Sequence, residues 1–289
     1  MIIEATRQIT FAGSTVTLES RGAAAHQVVA LLLANLAPAK QTAATSHWTL
    51  RLVGEESLQV YAGPTGTPLE LMGDEHAVAV VRRLGHYLAD QSKDGLLFHA
   101  AALSWHTHGL LLPGGTQAGK TTLSAWLLTQ GFSYLSDELV YLPQGSAVMQ
   151  AFSRPLNLRL KSLAALQAEL TLELTALTPS DGVNTLIAPS CLGAAAVQAQ
   201  ANLKLIIFPC YVPEQPLRFI RLAKAEAALR LMEGLVNARN LAHHGFPDIT
   251  RLVREVPAYA LSYSRFSQLS PWLEHDLPEA LDELAACSF

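Results

Sequence analysis

Residues 114 to 121 read Gly114-Gly115-Thr116-Gln117-Ala118-Gly119-Lys120-Thr121, which fits G-x-x-x-x-G-K-[ST]; no other feature limits so sharply what this chain can fold into. Such a loop works only between a strand that delivers it and a helix that leaves it. Glycines let successive backbone N–H groups turn into one concave nest for phosphate oxygens, a path that a Cβ would obstruct. The lysine reaches β- and γ-phosphates as a mobile point charge, and the next hydroxyl ligates Mg²⁺. The helix adds its positive N-terminal end. Thr122, directly behind the motif, joins the expected phosphate-binding set. The flanks comply: Leu110 to Leu112 is an apolar run of strand character, and Leu123, Trp126 and Leu127 share one helical face. The helix is expected from Lys120 to Gln130, with Gly131 placed for a left-handed cap. Together these residues predict an α/β fold built around a nucleotide-binding P-loop.

Seventeen and eighteen residues after the lysine stand Asp137 and Glu138, at the tip of a strand Tyr134 to Ser136. Carboxylates there can hold a metal or accept a proton from an attacking hydroxyl. Alone, the pair reads equally well as an acidic turn between strands; beside a phosphate loop the chemical reading gains weight. His99 lies in an apolar strand between Phe98 and Ala100, where a lone histidine is more often a satisfied core residue than a functional one. His106 with His108, and the pair His243-His244, lack acidic or cysteine companions at ligand spacing and read as surface turns.

The rest of the composition excludes more than it identifies. With 289 residues and half of them hydrophobic, the chain has ample length for a buried core and is not globally disordered. Twenty Lys plus Arg against 24 Asp plus Glu, with no basic run, argue against nucleic acid as a partner. The start, Met1 to Arg7, lacks the cationic and apolar order of a signal peptide, and no apolar run approaches a membrane span. Cys191, Cys210 and Cys287 are too few and too scattered for a disulfide frame or zinc site. The expectation is a cytoplasmic protein with no membrane partner.

Along the chain, residues 1–92 read as a smaller N-terminal α+β module. Gln8 to Phe11, Thr15 to Leu18 and Trp48 to Val53 alternate as strands, and His26 to Leu36 reads as a buried helix. Gly63 to Gly66 signals a turn, and Asp74 caps a helix that runs to about Gln91. Residues 93–289 form the second domain. Strands are expected at Leu96 to Ser104, Leu139 to Leu142, Ala147 to Phe152, Leu203 to Phe208, Leu217 to Leu222 and Ala258 to Tyr263. Helices are expected at Ala223 to Val236 and Phe266 to His275, and Leu170 to Gln200 reads as a weakly patterned insertion that is partly mobile.

Phe98-His99-Ala100-Ala101, the phosphate loop and Leu135-Ser136-Asp137-Glu138 together resemble the bacterial HPr serine kinase/phosphorylase family, and most of all its short HPr-kinase-related members. The likeness is specific over about residues 96 to 160 and looser beyond. It implies a P-loop core of the HPr-kinase type and a phosphotransferase that uses ATP and Mg²⁺. By position, Lys120 would hold phosphates, Thr121 and Asp137 the metal, Glu138 would accept the proton and His99 would orient the acidic pair. Two departures stand out. Glu138 replaces an aspartate, and Asn157 stands where the family has a metal-binding glutamate. Arg239-Asn240-Leu241-Ala242 resembles the family's catalytic-arginine segment at a longer spacing. The implied partner is a small protein or peptide that presents a serine or threonine hydroxyl. Two alternatives stand beside it: a kinase of a free small metabolite, and a nucleotide-binding partner protein without phosphoryl transfer. The oligomeric state stays open, a homo-oligomer included.

Overall fold

The computed structural model describes residues 4–34, 47–53, 59–62, 67–69, 76–115, 117–170 and 184–286. It is a mixed α/β structure with two main sheets.

The first sheet is small. Strands β1 (Glu4–Phe11) and β2 (Ser14–Arg21) form an antiparallel hairpin, turned by Ala12 and Gly13, both at positive φ. Helix α1 (Ala23–Leu33) returns the chain to β3 (His47–Val53), which runs parallel to β2. Strands β4 (Gln59–Ala62) and β5 (Thr67–Leu69) then complete the order β1-β2-β3-β4-β5. Helix α1 begins three residues earlier than its apolar run suggests, directly after Gly22. Helix α2 (His76–Gln91) follows; the expected Asp74 cap and the turn at 63–66 lie outside the described residues.

The larger sheet carries the cavity. Strand β6 (Gly95–Trp105) pairs antiparallel with β7 (His108–Pro113), which feeds the glycine loop and helix α3 (Lys120–Thr129). Next come β8 (Ser133–Ser136), β9 (Leu139–Pro143) and β10 (Val148–Ala151). Strand β6 is long enough to pair with β9 along Gly95 to His99 and with β8 along Ala102 to Ser104. Strand β13 (Gln200–Tyr211) runs parallel to β7 and to β15 (Ala258–Tyr263), and β14 (Arg218–Arg221) closes the edge antiparallel to β15. Because β10 also pairs with β13, the strands β10-β9-β6-β7-β13 close on themselves.

The unbroken apolar runs of β7 and β13 follow from two covered faces. Leu110, Leu112, Leu205 and Ile207 enter one core with Trp126 and Trp272, while Leu111, Ile206 and Phe208 enter another with Phe98. The second core is covered by α5 (Lys224–Gly234) and α6 (Phe246–Glu255) through Leu231, Ile249 and Leu252. A separate pair, β11 (Leu156–Arg159) and β12 (Asn184–Ile187), flanks α4 (Leu160–Leu170).

Three expectations need correction. The single helix foreseen from Phe266 to His275 is a 3₁₀ turn, a three-residue α segment and a π segment that ends at Asp276, followed by a helix Leu277–Ala286. Pro271 and Pro278 each lack the N–H that a regular ladder requires. Of the supposed insertion, residues 184–200 are fixed: β12 pairs with β11, and Tyr134 exchanges backbone hydrogen bonds with Ala196 and Gln198. Residues 171–183 lie outside the described set. Helices α4 and α6 had no counterpart in the sequence reading. Among the described residues no helix is long and apolar enough to cross a membrane.

Candidate active site

The glycine loop leaves β7 and ends at Gly119, whose φ of 91° is in the left-handed region. A Cβ there would stand 3.2 Å from the Tyr263 hydroxyl oxygen and 3.5 Å from Tyr211 Cβ, so this position is glycine for conformation and for space. Gln117 also holds a positive φ, 73°, without that freedom, and backbone strain of this kind gathers where a loop wraps a ligand. The helical ladder starts at once: Leu123 N donates to Gly119 O at 2.9 Å.

Lys120 is the first residue of α3 and is only 7 % exposed. Its ammonium folds back and donates to the carbonyls of Gly114 (2.6 Å) and Gly115 (3.1 Å). Burial pulls its pKa down, against the pull of Asp137 and Glu138. Thr122 donates from its hydroxyl to Ser162 at 3.0 Å, which ties α3 to α4. Thr116 lies outside the described residues.

Asp137 and Glu138 occupy the gap between β8 and β9. The pairing register is kept across that gap, Ala102 with Ser136 and His99 with Leu139, so the acidic pair stands beside the middle of β6. Ser136 builds the turn. Its hydroxyl donates to Phe152 O at 2.9 Å and accepts from the amides of Glu138 (3.2 Å) and Leu139 (3.3 Å). Ala100 N donates to Glu138 O at 3.2 Å, and the side chains are left to face the cavity.

The two carboxylates meet different surroundings. Asp137 is 4 % exposed, and burial pushes its pKa up to about 7, against the pull of Arg154. The Thr121 hydroxyl hydrogen-bonds this carboxyl, while Oδ1 has no partner. Burial also raises Glu138, but the Arg154 guanidinium and His99 outweigh it and hold the carboxyl below its usual range. Arg154 is itself only 4 % exposed; Nη2 donates to Glu138 Oε2, Nη1 to Pro155 O at 3.0 Å, and Nε has no partner. His99 is half-buried on the cavity wall. Burial lowers its pKa although Glu138 raises it, so the imidazole is neutral at pH 7.

These groups line one cavity of about 710 Å³. His99, Lys120, Thr121, Asp137, Glu138 and Asn157 all face it, as do Gln117, Ala118, Gly119 and Thr122; Gly114 and Gly115 reach it through their carbonyl bonds to Lys120. The structure adds Arg154, Arg159, Lys161, Tyr211, Tyr263 and Arg265, which sequence reasoning missed. Only Arg154 carried a signal, as a lone charge inside the apolar stretch Ala151 to Leu156. Arg239 is not among the lining residues, and its neighbour Asn240 spends its amide on the carbonyls of Ala89, Asp90 and Ser92. That segment holds the end of α2 in place. The His243-His244 pair is exposed in a left-handed turn, and among the described residues no group of three His, Cys, Asp or Glu could hold a metal.

A divalent cation fits the site through oxygen donors. Asp137 Oδ1 and Asn157 Oδ1 are both buried without partners on the same cavity as the Thr121 hydroxyl. A hard cation that also takes phosphate oxygens needs few protein ligands.

No protein-family model matches the sequence, and no curated protein matches it. Among solved structures, the Hpr(Ser) kinase/phosphatase from Coxiella burnetii is similar over 66 % of this chain and 93 % of that chain, with 14 % identity and a TM-score of 0.29. So loose an overlap assigns neither fold family nor activity.

Proposed function

We propose that the protein is an ATP- and Mg²⁺-dependent phosphotransferase of the HPr-kinase kind, acting on a serine or threonine hydroxyl of a small protein or peptide. One observation carries this reading: a single cavity gathers a phosphate loop with its lysine, an acidic pair of which Asp137 is buried and Glu138 half-buried, and two orphaned oxygens suited to a hard cation. A pure nucleotide-binding module has no need of carboxylates at that place.

In this reading the acceptor oxygen bonds to the γ-phosphorus as the bond to the β-phosphate oxygen breaks, and the electron pair leaves on ADP. Lys120 exchanges the carbonyls of Gly114 and Gly115 for phosphate oxygens. Bound Mg²⁺ would neutralise charge on the β- and γ-phosphates, held by Thr121, Asp137 and Asn157. Glu138 receives the hydroxyl's hydrogen bond and then its proton. An ion-paired carboxylate is a weak base, but a loose transition state needs the hydroxyl oriented more than deprotonated. His99, neutral and beside Glu138, steadies that carboxylate.

The Arg154–Glu138 ion pair also favours a second reading, a nucleotide-binding partner protein that transfers nothing, because it already satisfies the carboxylate. Incubation with γ-labelled ATP, Mg²⁺ and cell extract separates the two. Label on an acid-stable phosphoester, lost in Lys120→Ala, supports the kinase; binding of ATP with no transfer supports the partner protein.

A further inference from the structure

The cavity holds more positive charge than a nucleotide requires. Five cations, Lys120, Arg154, Arg159, Lys161 and Arg265, face two carboxylates, a surplus of three in a chain whose net charge is −4. A magnesium–nucleoside triphosphate complex brings roughly two negative charges, counting about 1.5–2 on its terminal phosphate. Positive charge remains.

Its placement is informative. Arg159 sits two residues from Asn157 on β11, so both point to one face of the strand, toward the cavity. Lys161 and Ser162 follow in the first turn of α4, and that turn contains no acidic residue. A helix start normally favours carboxylates, because its unpaired N–H groups carry positive charge. Here the helix end and two side-chain cations repel one another unless an anion joins them. Among the described residues no carboxylate pairs with Arg159, Lys161 or Arg265. Deeper in the same cavity Arg154 keeps a buried Nε–H with no acceptor. The phosphate loop, meanwhile, has its own amides, its own lysine and its own helix for the nucleotide.

We propose that the β11–α4 wall binds an anion carried by the phosphoryl acceptor: the hydroxyl lies next to a carboxylate or phosphate that Arg159 and Lys161 hold, with Arg265 contributing from the turn that follows β15. The inference rests on the kinase reading and specifies its substrate class. It excludes acceptors whose hydroxyl is flanked by basic groups.

The test is calorimetric, on full-length protein saturated with Mg²⁺ and a non-hydrolysable ATP analogue. Blocked pentapeptides with a central serine flanked by glutamates or by lysines form one arm; glycerate and glycerol form the other. Preference for the acidic ligand by tenfold or more is expected in one arm, which also tells a peptide from a free hydroxy acid. Arg159→Gln combined with Lys161→Gln, both exposed positions, should erase that preference and leave affinity for the analogue within twofold. Equal affinities, a basic preference or no acidic binding in either arm overturns the proposal. So does a tenfold loss of analogue affinity in the double variant, which would assign both cations to the nucleotide. Failure of the wild type to bind the analogue is a different result, and defeats the kinase reading itself.

Discussion

The two walls of the cavity are written in the sequence in opposite ways. The phosphate wall is one contiguous run, Gln117 to Thr122, with Asp137 and Glu138 on the next turn of the same sheet. The second wall is assembled from Arg154, Asn157, Arg159, Lys161, Tyr211, Tyr263 and Arg265, which span 112 positions of chain. A phosphate nest makes demands on consecutive backbone torsions, so its signature is local. A wall of side chains asks only that distant elements arrive together, and any residue type with the right reach can serve.

Substitutions on each wall test this contrast. Lys120→Ala should reduce transfer by at least on the order of 10³-fold, measured as labelled product per minute, with circular dichroism unchanged. Retained activity would show that the phosphate wall is only a structural turn. Glu138→Gln should lower turnover by about 10–10²-fold, at the modest end for a positioned acid–base group, because Arg154 already holds the carboxylate as a weak base. A loss of 10⁴-fold would make it a full general base.

The third prediction concerns pH. Asp137 must lose its proton to meet a cation, and its pKa stands near 7, so the half-saturating Mg²⁺ concentration should rise about tenfold per unit below pH 7 and level off above it. Asp137→Asn should flatten that dependence. The same raised pKa makes the ionised carboxylate a burden on the metal-free fold, since proton binding favours the folded state between the ordinary value of 3.8 and about 7. Stability from this group is present at low pH and lost as pH rises through 7. Asp137→Asn should therefore raise Tm at pH 8 by roughly 2–4 °C, the shift expected from about 1 kcal/mol. The smallest effect belongs to the second wall. Asn157→Asp should lower the Mg²⁺ requirement about threefold by adding a charged oxygen where a buried orphan now stands.

Legibility in the sequence followed physical causes. The strand–loop–helix around Lys120 was readable because apolar runs and glycine torsions act within a few residues. Gly131 does adopt the left-handed cap, at φ 89°. Helix α6 escaped although Pro247 and Asp248 in its first turn are start signals, because Gly245 stands at its cap in place of a Ser, Thr, Asp or Asn side chain, behind a turn of two left-handed histidines. The Leu160–Leu170 helix escaped because Lys161 stands where a start signal would put an acid. That absence, misleading for secondary structure, is the feature that points to an anion.

Phe11 sits at the end of β1, beside the hairpin turn, and its ring packs 5.4 Å from that of Phe152 and 6.3 Å from that of Tyr141. Leu97 and Leu139 join the same cluster, together with Val16, Leu52 and Leu84. The carbonyl of Phe152 is the one that anchors Ser136, and so the acidic turn; Arg154 follows two residues later. An engineer who cut the chain before Gly95 to obtain a minimal cavity-bearing fragment would strip the cover from four large apolar side chains at once. Two of them are immediate neighbours of Glu138 and Ser153, so the damage would reach the carboxylates before it reached the glycine loop. The half that carries the cavity is not a cassette to be lifted out and grafted; its acidic corner is held in place by residues from the other end of the chain.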